Sequence, residues 1–68
     1  MRMNIYQIWW VDKCDGKEGK ALAFDRDSLF KICWGLSQLS TVVEVKVFKD
    51  GQILHPGELG FGSIEKWK

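Results

Sequence analysis

A chain of 68 residues forms at most one small domain, and 46% hydrophobic with 28% charged residues is typical of a globular protein. Ten basic and nine acidic residues leave a net charge of +1, which argues against a dedicated duplex-DNA binder because such proteins need a strongly basic surface. No secretory pattern and no apolar run of membrane-spanning length are present. We therefore expect a cytoplasmic protein without a membrane partner, in which Cys14 and Cys33 stay reduced.

The first half of the chain predicts a β-hairpin followed by a helix. Residues 4–11 are rich in β-branched and aromatic side chains and predict strand one. The polar segment 12–19 predicts the hairpin loop, and residues 20–24 predict strand two. Asp25 then has the position of a helix N-cap, and the helix should end near residues 38–40. Apolar residues at helical spacing predict its core-facing stripe: Leu29, Ile32, Cys33 and Leu36.

The second half predicts another hairpin and a tail. Residues 42–49 alternate, which predicts strand three with Val43, Val45 and Val47 on one buried side. Asp50-Gly51 is a strong signal for a two-residue turn.

This turn pairs Lys49 with Gln52 and Phe48 with Ile53 in a short strand four, which Pro56 ends. The glycine-rich residues 57–68 predict a tail that is flexible or folds back.

These elements predict one α+β domain over residues 1–68, with the order β-β-α-β-β. One helix packs on one face of a four-stranded antiparallel sheet in the order 2-1-3-4, and the other face of the sheet is open. The alternative order 2-1-4-3, as in β-grasp-like domains, would place the short strand four in the centre.

Strand one is apolar on both faces, which makes it the most informative segment for function. Successive side chains of a strand point to opposite sides, so Trp9 and Trp10 cannot share a face. One set of side chains on strand one consists of Ile5, Gln7, Trp9 and Val11. Because Gln7 is its only polar member, we assign this set to the open face. Tyr6, Ile8 and Trp10 then point inward.

In strand two we expect Leu22 and Phe24 inward and Ala21 and Ala23 outward, where the alanines would form a shallow shelf beside Trp9.

An exposed tryptophan on an open sheet face predicts a contact surface, because tryptophan is enriched at interface hot spots. The predicted partner-binding residues are Gln7, Trp9, Glu44, Lys46, Phe48 and Trp67. The alternative is that the tail covers this face with Ile64 and Trp67.

The sequence predicts a non-catalytic protein-interaction module, in its simplest form a homodimer through the open face. A single-stranded nucleic-acid binder is the alternative, with Trp9 and Phe48 stacking on bases and Lys13, Lys17 and Lys20 near phosphates. The acidic residues between those lysines weigh against it. A further alternative is a small bacterial or phage accessory protein that inhibits a host partner.

No catalytic, cofactor or metal site is predicted. His55 is the only histidine and precedes a proline, and the two cysteines lack the paired spacing of a zinc site. Gly57, Gly60 and Gly62 do not form a phosphate-binding motif. We therefore expect neither enzyme activity nor a cofactor.

Overall fold

The computed structural model describes residues 5–14 and 16–67. Asn4, Asp15 and Lys68, which belong to the predicted first strand, first loop and tail, lie outside the described residues. The elements are β1 (Tyr6–Asp12), β2 (Lys17–Ala23), α1 (Arg26–Gln38), β3 (Val42–Lys49), β4 (Gln52–Leu54) and a short 3₁₀ helix (Pro56–Leu59). The sheet is antiparallel with the order β2-β1-β3-β4, and α1 packs against one face. The predicted α+β fold and strand order are confirmed.

A local cap marks the start of α1, and a contact from the tail lies at its end. The Asp25 side chain accepts a hydrogen bond from the Ser28 backbone N–H at 2.7 Å, as an N-cap should. At the other end, the Lys66 ammonium donates to the Leu39 carbonyl, so a residue from the tail satisfies a carbonyl at the end of the helix. Of the predicted stripe, Leu29, Cys33 and Leu36 are buried and Ile32 is half-buried.

The turn between β3 and β4 also forms as predicted. Asp50 and Gly51 both have positive φ, at 53° and 77°, which is the backbone of a type I′ turn. The pairs Lys49 with Gln52 and Phe48 with Ile53 follow from it.

The prediction for the faces of β2 is wrong. Ala23 is buried, whereas Leu22 is 54% and Phe24 56% exposed. The hairpin loop is shorter than predicted, since Asp12 already pairs with Lys17, and this register reverses the assigned faces.

A complementarity of volumes between β1 and β2 favours the observed register. Each large inward side chain of β1 lies opposite a small residue of β2. The pairs are Tyr6 with Ala23, Ile8 with Ala21 and Trp10 with Gly19. A Cβ atom at Gly19 would overlap the Trp10 indole, so this position requires glycine. The small residues leave room for the large ones beneath the helix.

The prediction that Val43 lies on the buried side of β3 is also wrong, because β3 contains a β-bulge. Val11 pairs with Glu44 but Asp12 pairs with Val42, so Val43 has no partner on β1. Val42 takes the buried position and Val43 is 48% exposed, while Val45 and Val47 are buried as predicted.

The tail folds back on the helix side of the sheet. Ile64 and Trp67 are buried in the core with the residues of α1 and β3. The Val45 backbone N–H donates to the Lys66 carbonyl at 2.8 Å, so the tail extends the sheet beside β3 where β4 has ended. The Trp67 indole N–H donates to the Leu54 carbonyl at 2.9 Å. The tail therefore completes the core and does not cover the open face.

Candidate functional site: the open face of the sheet

The register of the three long strands arranges the open face in rows that run across the sheet. Directly paired residues share a face, so each outward residue of β1 lies between one from β2 and one from β3. The lysine row consists of Lys20, Trp9 and Lys46. The glutamate row consists of Glu18, Val11 and Glu44, and the apolar row of Leu22, Gln7, Phe48 and Ile53.

Trp9 lies at the centre of this face and is half-buried by its neighbours. The Lys46 ammonium is 5.4 Å from the centre of the Trp9 ring, within the range of a cation–π contact. Lys20 occupies the equivalent position on the other side. The two lysines thus flank an indole whose outer surface remains accessible.

The apolar row supplies exposed hydrophobic surface. Leu22 is 54% and Ile53 45% exposed, and Phe48 is half-buried between them and Trp9. A depression of about 400 Å³ lies beside Trp9, and its lining includes Leu22, Phe48 and Gln7. Apolar side chains that line an exposed depression are a typical feature of interaction surfaces.

Five of the six predicted contact residues lie on this face: Gln7, Trp9, Glu44, Lys46 and Phe48. Trp67 is 3% exposed and lies in the core, so it is not part of the surface. Trp10, which was assigned inward, lies over Gly19 on the helix side.

The prediction missed the contribution of β2 and β4 to this face. Glu18, Lys20, Leu22 and Ile53 complete the rows. The signal for Ile53 was present, because its predicted pairing with Phe48 places both side chains on one face. The β2 residues depend on the hairpin register, which the sequence pattern did not determine.

The remaining reactive side chains lie apart from this face. Cys14 is exposed in the first hairpin loop, whereas Cys33 is buried in the core. The two cysteines do not form a disulfide. Burial raises the pKa of the Cys33 thiol to about 12. His55 precedes the 3₁₀ helix, and its backbone N–H donates to the Glu58 carboxylate at 2.8 Å.

Residues 5–14 and 16–67 contain no group of three or more His, Cys, Asp or Glu side chains that could hold a metal ion. The same part of the chain has no helix with the length and apolar character needed to cross a bilayer. Comparison of the chain with family models, with curated proteins and with solved structures finds no match.

Proposed function

We propose that this domain is a non-catalytic interaction module that binds a second copy of itself through the open face of its sheet. The observation that carries the proposal is the accessible apolar surface around Trp9 and Leu22, on the face opposite to the helix and the tail. Burying such surface between two copies is favourable because it removes apolar area from water. A cytoplasmic location, where thiols stay reduced, suits the exposed Cys14.

The balance of charge favours a protein partner over a nucleic acid. The face carries Lys20 and Lys46, but Glu18 and Glu44 lie one row away. Binding to phosphates depends on an excess of basic side chains, and these carboxylates would repel a nucleic-acid backbone. A second copy brings both signs of charge, and two neutral faces approach each other without net repulsion.

The size of the face indicates a weak, reversible contact. The strands have seven, seven, eight and three residues, which at ~3.3 Å per residue and ~4.8 Å between strands give a flat face of roughly 400 Å². Stable protein interfaces bury about 800 Å² of accessible surface on each partner, so this face is smaller than a standard interface. We expect a monomer–dimer equilibrium with a dissociation constant in the micromolar range.

Sedimentation velocity over a range of protein concentrations tests the proposal. The unmodified protein should shift from monomer to dimer, and Trp9→Ala should shift this transition to concentrations at least tenfold higher. Trp34→Ala is the matched control, because Trp34 is 51% exposed on the helix and should leave association unchanged. Leu22→Gln and Leu39→Gln form a second pair of this kind, at 54% and 51% exposure.

A protein that stays monomeric up to ~1 mM, where a micromolar contact is saturated, would contradict the proposal. Equal effects of Trp9→Ala and Trp34→Ala would also contradict it. If the monomer instead shows quenching of tryptophan fluorescence by a single-stranded oligonucleotide at low salt, the open face is a nucleic-acid site.

A further inference from the structure

The charged residues of the open face are separated by sign into two adjacent rows. Lys20 and Lys46 lie in one row across the sheet, and Glu18 and Glu44 lie in the next. Adjacent rows are about 6.6 Å apart, because outward residues of a strand alternate with inward ones. Each lysine is therefore accompanied along its own strand by a glutamate on the same face, once on β2 and once on β3.

Two identical faces that meet in a symmetric dimer are related by a two-fold axis that lies in the plane of contact. An axis that runs across the strands, midway between the two rows, places the lysine row of one copy over the glutamate row of the other. Lys20 then faces Glu18, and Lys46 faces Glu44. Symmetry repeats both contacts, so the arrangement contains four pairs of opposite charge.

Resting on the self-association proposed above, we infer that the two copies pack with this axis, so that charge pairing along β2 and along β3 fixes how they dock. The axis passes between Trp9 and Val11, next to the central residue of β1. Trp9 of each copy covers Val11 of the other.

Two other axes bring like charges together. An axis along β1 places Lys20 over Lys46 and Glu18 over Glu44, so that every charged contact is between like charges. An axis across the strands through the lysine row places each lysine over the equivalent lysine of the other copy. Like charges at an interface are costly, and these arrangements are disfavoured for that reason.

Charge reversal on one strand tests the inference. Lys46→Glu and Glu44→Lys should each weaken self-association by roughly tenfold or more, because each change creates two like-charge contacts in the symmetric dimer. A mixture of the two variants should associate at least as well as the unmodified protein, since every contact along β3 is then between opposite charges. The double variant K46E/E44K should also recover self-association.

The matched control mixes Lys20→Glu with Glu44→Lys. The two proteins differ in net charge as much as in the first mixture, so general electrostatic attraction is the same. The reversed residues lie on different strands, however. With the proposed axis, the new carboxylate at position 20 faces Glu18 of the other copy, and the new ammonium at position 44 faces Lys46. Sedimentation velocity should show weak association in this mixture. Circular dichroism should show that both variants are folded.

The outcomes separate this inference from the proposal on which it rests. Recovery of association in the first mixture, without recovery in the control mixture, supports the axis across the strands. Rescue in the control mixture, or equal behaviour of the two mixtures, overturns that axis while dimerisation of the unmodified protein upholds self-association. Failure of the unmodified protein to dimerise overturns both.

Discussion

Replacing Trp67 with alanine tests whether the tail is an integral part of the core. Trp67 is 3% exposed, and a buried tryptophan removes about 200–250 Å² from water. At about 25 cal/mol per Å², reduced by 10–40% for burial already present in the unfolded chain, the lost burial costs ~4 kcal/mol. Loss of the 2.9 Å hydrogen bond to the Leu54 carbonyl costs a further ~1 kcal/mol.

A change of this size is large for a small domain. A chain of 68 residues has a free energy of unfolding of about 3–10 kcal/mol. Trp67→Ala should therefore remove about half or more of this free energy of unfolding. Trp67→Phe retains an aromatic ring beside Phe61, whose centroid is 6.0 Å away, and loses the donor. We expect this variant to lose about 1–3 kcal/mol and remain folded.

Urea denaturation followed by circular dichroism, at a protein concentration where the monomer predominates, measures these differences. Trp34→Ala is the control, because Trp34 is half-exposed and stacks on Phe30 with the ring centroids 6.2 Å apart. Its loss should cost about 1 kcal/mol. If Trp67→Ala is as stable as Trp34→Ala, the tail does not close the core and the reasoning fails.

Three further predictions concern the interior and the helix cap. Gly19→Ala should lower the free energy of unfolding by about 1–3 kcal/mol, because the new Cβ overlaps the Trp10 indole. Gly35→Ala should raise it by ~0.5–1 kcal/mol, because the space around this helical position is open. Equal melting temperatures of the two variants would contradict this. The backbone N–H groups at the start of α1 lower the pKa of Asp25, so its contribution to stability is complete above the ordinary carboxyl pKa and disappears as pH falls through the lowered value. Asp25→Asn should consequently show a weaker loss of stability in acid, and an unchanged acid profile would refute the cap. Burial raises the pKa of Cys33 to about 12, so unfolding releases its proton and stability should fall as pH rises above the ordinary thiol pKa near 9.0. A thiol reagent at neutral pH should accordingly label Cys14 alone, and both cysteines in urea; two labels on the native protein would contradict the burial.

The elements with local signals are predictable from the amino-acid sequence alone. The N-cap at Asp25 and the helical spacing of Leu29, Cys33 and Leu36 define α1 within a few residues. Asp50-Gly51 fixes the register of the second hairpin, because a two-residue turn leaves only one pairing. The length of β3 and the shortness of β4 predict the strand order, and the alternation of β1 predicts an open face that carries Trp9.

The residues that surround Trp9 and the position of the tail follow from long-range contacts. Alternation relates the residues of one strand to each other, but the faces of two strands correspond only when their register is known. A longer loop leaves that register open, and the fit of Trp10 over Gly19 selected it. The bulge at Val43 likewise depends on pairing with β1. Trp67 reaches the core because β4 is short and leaves the edge of β3 free for the tail, which is a contact between segments distant in sequence.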